Sequence, residues 1–156
     1  MMILLHKLII LLIIWRKVNL MIINDIHKGI KMVKIFVYGT LKEGFPLYNN
    51  FNKRHSIIKD ITVNGTLFNL GPFPAAKFNT QDTIIGEIHT FYDKDKTLAI
   101  MDRIEGYNSK NINTSLYIRK MINITYKNKK EKVYAYEFNF DRHPINRIKI
   151  ETGIWK

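Results

Sequence analysis

Short apolar runs rich in β-branched residues alternate with polar, glycine-punctuated stretches over most of this chain. Val33 to Tyr38 has the composition of a buried strand. Ile61 to Asn69, Ile84 to Tyr92, Leu116 to Tyr126 and Val133 to Phe140 read as further strands, with the imperfect alternation expected when both faces are partly covered. A helical period stands out from about Lys94 to Glu105. There Leu98, Met101, Ile104 and Glu105 fall on one side, with Asp93 or Asp95 available to cap the start and Gly106 the end. Many strands with one or two short helices predict an α+β fold, a small mixed β-barrel.

Before Met32 the pattern changes. The apolar run Leu8 to Trp15 would rise only about 12 Å as a helix, far below a bilayer core of roughly 30 Å, so no membrane span is expected. Arg16-Lys17-Val18-Asn19 lacks a small-residue cleavage site, which argues against a signal peptide. Residues 1–31 therefore read as a hydrophobic, basic extension dispensable for the chemistry, with an amphipathic membrane anchor as the lesser reading. Residues 32–156 read as the domain.

With 156 residues, 46% of them hydrophobic and 24% charged, the chain has an ordinary globular composition. There is no cysteine, which excludes disulfides, thiolate catalysis and cysteine-bound zinc. The net charge of +12 would suit a nucleic-acid partner. Its densest cluster, Lys127 to Lys132, instead suits a solvated hairpin tip, and no nucleic-acid-binding motif accompanies it. No specific nucleic-acid partner is expected, and a cytoplasmic location is. His6, His27, His55, His89 and His143 show no metal-ligand spacing, and neither a nucleophile elbow nor a dinucleotide fingerprint occurs. No metal and no cofactor are expected.

Two segments carry candidate chemistry. In Val37-Tyr38-Gly39-Thr40-Leu41-Lys42-Glu43-Gly44, the glycine after a strand lets backbone N–H groups approach a ligand closely, suited to a carboxylate or a developing oxyanion. The same segment would also serve as a plain tight turn. In Met101-Asp102-Arg103-Ile104-Glu105-Gly106-Tyr107, Glu105 shares the apolar face of the helix near its C-terminus. Burial and the helix dipole should both raise its pKa toward the range useful for proton exchange; a structural ion pair is the alternative, and Asp102 is its neighbour and rival. Tyr117 and Arg119 alternate along a strand and share a face, from which they could hold a substrate carboxylate, hold Glu105, or form an ordinary salt bridge. Glu87 is a further carboxylate, with a structural role the simpler reading.

With these residues in view, the chain resembles the γ-glutamylcyclotransferase-like family, and within it the γ-glutamylamine cyclotransferase branch. The resemblance rests on Phe36 to Gly44, Gly65 to Pro74, Gly86-Glu87-Ile88, Met101 to Tyr107, Tyr117-Ile118-Arg119 and Gly153-Ile154-Trp155, in that order. A departure is Phe45-Pro46-Leu47-Tyr48, which precedes Asn49 and Asn50 where the family often has an Asn soon after the second loop glycine. The resemblance implies a compact mixed barrel with a cavity at one end and Glu105 as the catalytic carboxylate. It implies a substrate-binding loop at Tyr38, Gly39, Thr40 and Leu41. The implied activity is of the acyltransferase or lyase class: the α-amino group of a small γ-glutamyl amide or amine attacks its own γ-carbonyl, releasing 5-oxoproline and an amine. The alternative on the same fold is a non-catalytic module that binds a small ligand. No oligomeric state is implied.

Overall fold

The computed structural model describes residues 12–20, 31–50 and 54–156. The chain divides into two units, Met1–Lys31 and Met32–Lys156. In the first, residues 12–20 form helix α1, on which Leu12, Ile14, Trp15 and Val18 are exposed. The start of the apolar run, Leu8 to Leu11, lies outside the described residues. Among the described residues no helix is long and apolar enough to cross a membrane.

The second unit is an α+β fold built on a curled, half-barrel sheet. Its strands are β1 (Val33–Val37), β2 (Arg54–Asn69), β3 (Pro74–Phe91), β4 (Tyr117–Tyr126), β5 (Lys129–Phe138) and β6 (Ile148–Lys149), with helix α2 (Lys94–Ile104) between β3 and β4. The six-stranded order is β4-β5-β1-β3-β2-β6, and every pairing is antiparallel except β1 with β5.

Alternation along β1 explains the two cores. Val33, Ile35 and Val37 point to one face and pack with Leu98 and Met101 of α2. Phe36 points to the other face and joins Ile84 and Ile88 of β3, Val133 and Ala135 of β5 and Ile122 and Ile124 of β4. Ile61 and Val63 of β2 share this second cluster, so the sheet curls until strands far apart in its order meet over one interior.

The β2–β3 hairpin is longer than the apolar pattern predicts. The stretch Pro74 to Thr83 is alanine-rich and polar, with little intrinsic strand preference, and its pairing with β2 imposes the strand. Register shifts at Arg54/Ser56, Ile58/Ile61 and Asn64/Gly65 break the hairpin's alternation. Asp60 and Asn79, both at positive φ, mark where the backbone departs from regular strand geometry. The basic cluster divides: Lys127 and Asn128, both at positive φ, make the β4–β5 turn, whereas Lys129 to Lys132 belong to β5. Strand β6, only two residues long, carries no period to be read.

Helix α2 is capped at both ends. The Asp93 side chain accepts from Lys96 N at 3.2 Å. At the other end Tyr107 N donates to Asp102 O at 2.8 Å and Gly106 N to Arg103 O at 3.4 Å, a Schellman closure around Gly106, which sits at φ +60. Glu105 is thus the C-cap residue, and its carbonyl accepts from Tyr117 N at 3.2 Å. That bond ties the end of the helix to the start of β4.

Candidate active site

Where β1 leaves the sheet, its continuation meets the end of α2 and the start of β4 around a pocket of about 340 Å³. Tyr38, Gly39, Thr40, Leu41, Glu105 and Tyr117 all line it. The geometry therefore brings together the candidate loop, Glu105 and Tyr117, and leaves Arg119, Asp102 and Glu87 out of the pocket lining.

The loop comes first. Gly39 is obligatory, because a Cβ there would lie 2.5 Å from Pro74 Cγ. This close packing seats the loop against the Pro72–Pro74 turn. Lys42 N closes a tight turn onto Gly39 O at 3.0 Å, and Leu47 N returns to Thr40 O at 3.0 Å. The N–H groups of Gly39, Thr40 and Leu41 donate to no acceptor among the described residues. A run of unspent backbone donors beside a pocket is a ready site for an oxyanion or carboxylate.

Glu105 faces the same space. Its carboxyl makes no hydrogen bond or ion pair among the described residues, and burial raises its pKa from the ordinary 4.5 to about 7. The residue is partly accessible and lines the pocket. Three tyrosines surround it, Tyr38, Tyr117 and Tyr136, and their phenols are pushed up by burial first, with the nearby Glu105 charge adding to the effect. Each hydroxyl proton is already committed. Tyr38 donates to Tyr136 O at 2.6 Å, Tyr117 to Pro74 O at 2.7 Å and Tyr136 to Asp102 Oδ1 at 2.7 Å. None is left to donate to Glu105, which accounts for the unpaired carboxyl.

Arg119 lies elsewhere. Its guanidinium donates to Asp102 Oδ2 at 2.7 Å and sits over the rings of Tyr107 and Tyr134. Asp102, the in-helix rival of Glu105, is consumed by this pair and by Tyr136. The Asp102–Arg119 contact is the ordinary salt bridge weighed from the sequence, and it fastens α2 to β4.

Glu87, read from the sequence as a carboxylate with a structural role the simpler reading, holds the loop from behind, and sequence reasoning missed its partners. Glu87 Oε2 accepts from Glu43 N at 2.9 Å and from His89 Nε2 at 2.7 Å, while His89 Nδ1 accepts from Arg54 Nε at 3.0 Å. Arg54 stacks on the Tyr48 ring and also bonds Tyr48 O. Because Arg54 can only donate, the proton of neutral His89 belongs on Nε2, facing Glu87. Burial pushes Glu87 up, but the His89 and Glu43 N–H groups outweigh it and hold the carboxyl below its usual range. Lys42 supplies a second tether through Nζ to Trp155 O at 2.7 Å. The available signal was the i, i+2 spacing of Glu87 and His89 on one strand; Arg54 is too distant in sequence to be matched with them. Among the described residues no cluster of His, Asp or Glu could hold a metal ion.

The comparisons agree with this architecture. Residues 35–156 match the family described as gamma-glutamyl cyclotransferase, AIG2-like, and the chain belongs to that family. No curated protein matches the chain. Among solved structures it is similar to YkqA from Bacillus subtilis (TM-score 0.59, 21% identity), covering 80% of this chain but only 40% of that one. It is also similar to an AIG2-like protein from Mus musculus (TM-score 0.53, 20% identity, 69% of this chain and 78% of that one). A third likeness is to c4763, a uropathogenic E. coli-specific protein (TM-score 0.59, 15% identity, 80% and 93%). At these identities the likeness shows the fold.

Proposed function

We infer that the protein is a γ-glutamyl cyclotransferase, converting a γ-glutamyl amide or amine to 5-oxoproline and a free amine without metal or cofactor. The observation that carries this reading is the unpaired Glu105 carboxyl, poised near neutrality, in one pocket with the unspent N–H groups of Gly39, Thr40 and Leu41.

The chemistry needs little more. The nucleophile is the substrate's α-nitrogen, so the absence of cysteine and of a serine elbow is no obstacle. Glu105 accepts a proton from the α-ammonium, and the freed amine attacks the γ-carbonyl carbon. The loop N–H groups receive the negative charge that develops on the carbonyl oxygen. As the bond from that carbon to the leaving nitrogen breaks, the protonated Glu105 donates to the departing amine. Both protons lost by the α-nitrogen end on the leaving nitrogen, so no water is consumed. A pocket that folds the γ-glutamyl chain into a near-attack shape supplies the rest of the acceleration.

The test is release of 5-oxoproline from a panel of γ-glutamyl amino acids and γ-glutamyl amines, with Glu105→Gln run beside the wild type. Product from the wild type, and far less from the variant, supports the reading. Saturable binding of the same compounds with no product from folded wild-type protein would establish the non-catalytic module instead.

A further inference from the structure

A second cavity lies at the opposite end of β1. The candidate active site gathers where β1 ends, around Phe36 to Leu41, whereas this cavity of about 530 Å³ opens where β1 begins, beside Met32, Val33 and Lys34. The length of the strand, roughly 13 Å, stands between the two. The proposed cyclotransferase chemistry makes no use of this second cavity.

Strand pairing assembles its walls. Lys34 of β1 pairs with Thr90 of β3, and Thr90 pairs in turn with Ser56 of β2, so one ammonium and two hydroxyls stand on a single rung of the sheet. Lys132 and Tyr134 of β5 and Lys94, the first residue of α2, complete the polar lining, with Met32, Val33 and Ile58 as its apolar part.

The lining is cationic, with little to balance it. It holds three lysines and no carboxylate. Lys34 is paired with Glu131, but Lys94 and Lys132 have no carboxylate partner among the described residues. Lys94 instead lies 5.4 Å from the centre of the Tyr134 ring, while its neighbour Asp93 is turned to the amide of Lys96. A lysine at the start of a helix also opposes the helix dipole rather than complementing it. The hydroxyls of Ser56, Thr90 and Tyr134 make no hydrogen bond among the described residues, although Thr90 is only 5% exposed. Unbalanced ammoniums beside free hydroxyl donors suit the oxygens of a phosphate. Two unpaired lysines match the charge of a phosphomonoester near neutrality, about −1.5 to −2.

We propose that this cavity binds a small organic phosphate. Lys94, Lys132 and the hydroxyls of Ser56 and Thr90 receive the phosphoryl group, and Met32 and Ile58 receive the organic part.

The experiment titrates the isotope-labelled full chain with phenyl phosphate, inorganic phosphate and phenol at about 0.15 M salt, reading amide chemical shifts. Phenyl phosphate should saturate, with shifts centred on Lys34, Thr90, Lys94 and Lys132, and should bind at least about 3-fold more tightly than inorganic phosphate. Phenol should not saturate. Lys132→Glu, on an exposed position, should weaken phenyl phosphate at least about 10-fold, and Lys94→Gln at least about 3-fold. Lys110→Glu makes the same charge change as Lys132→Glu in the loop beyond the far end of α2, and should stay within about 2-fold of wild type. No saturable binding would overturn the inference, as would shifts centred on Gly39 to Leu41, which would put the phosphate in the other pocket. An equal loss in Lys110→Glu would overturn it too, by reducing the binding to the chain's net charge of +12. Inorganic phosphate binding as tightly as phenyl phosphate would remove the organic part from the site and overturn the proposed ligand class.

Discussion

Glu105 and Glu137 are carboxylates that the fold draws out of water, and they end in opposite states. Glu137, on β5, is 2% exposed. Its Oε1 accepts from Lys120 at 2.7 Å and Lys77 at 3.1 Å, and its Oε2 from Phe78 N at 2.8 Å. Burial pushes it up, but Lys120, the Phe78 N–H and Lys77 together outweigh burial and hold it below the ordinary range. Glu105 has no donor among the described residues and is raised to about 7. Burial alone therefore does not mark a reactive carboxylate; what distinguishes the two is whether donors accompany the carboxyl. Glu137 ties β5 to β3 and β4, whereas Glu105 remains available to exchange a proton with something that enters the pocket.

The sharpest way to break this comparison is to neutralise each carboxyl and read turnover. Glu105→Gln should lower kcat by roughly 10²–10⁴-fold, the usual share of acid–base catalysis, whereas Glu137→Gln should leave the rate per folded molecule within about 3-fold of wild type. Wild-type kcat/KM should rise with pH through a limb near 7, because the free enzyme's base must be deprotonated, and the limb should vanish with Glu105. Comparable losses in both variants, measured with folded fractions equalised, would erase the functional distinction.

How far the sequence anticipates the two sites differs for physical reasons. Glu105 is legible because a helix has a period: its place beside Leu98 and Met101, followed by Gly106, determines both its face and its position at the helix end. The Gly39 loop is legible because a glycine leaving an apolar strand limits what the backbone can do there. Arg119 shows where period fails. It shares a strand face with Tyr117, but two residues of strand advance about 6–7 Å, enough to carry it past the pocket to Asp102. The pocket-lining residues Pro46 and Leu47 sit in a loop without period, placed by bonds such as Leu47 N to Thr40 O. The donors of Glu137 come from β3 and β4, and the polar first half of β3 does not announce itself as a strand at all.

The next largest effects are on stability, and they have opposite signs. The folded-state pKa of Glu105 stands above its ordinary 4.5, at about 7, so the folded protein binds the proton more tightly than the unfolded chain. Stability should then fall as pH rises from about 4.5 to about 7, by up to roughly 3 kcal/mol. Glu105→Gln removes that loss. Its Tm should match wild type near pH 5 and exceed it by roughly 5–10 °C at pH 8. An equal Tm difference at both pH values would mean that the buried carboxyl is not the source. Glu137 lies below its ordinary value, so it contributes stability above the unfolded pKa and loses it as pH falls through the folded one. Glu137→Gln turns an amide toward the Phe78 N–H or the lysines and should cost about 1–3 kcal/mol at pH 7, discounted because Lys77 and Lys120 are partly exposed. Urea denaturation at pH 7 reads this directly.

Glu87 supplies the smallest and most discriminating effect, because it stands between the two cases: satisfied like Glu137, yet bonded to the loop that faces Glu105. A single oxygen, Oε2, receives both the Glu43 and His89 donors, so the carbonyl of a glutamine can take over both bonds. Glu87→Ala cannot, and the loop loses a tether of about 1 kcal/mol, close to a 5-fold effect. That loss should appear mainly in kcat, through less well placed N–H groups at Gly39 to Leu41 for the developing oxyanion, with the pH limb near 7 unchanged because Glu105 is untouched. Glu87→Gln should restore kcat to within about 2-fold of wild type. If the glutamine variant is as impaired as the alanine one, it is the charge of Glu87 that matters. If the limb shifts in either variant, Glu87 acts on the proton of Glu105, and the separation between a satisfied anchor and an unsatisfied base no longer holds.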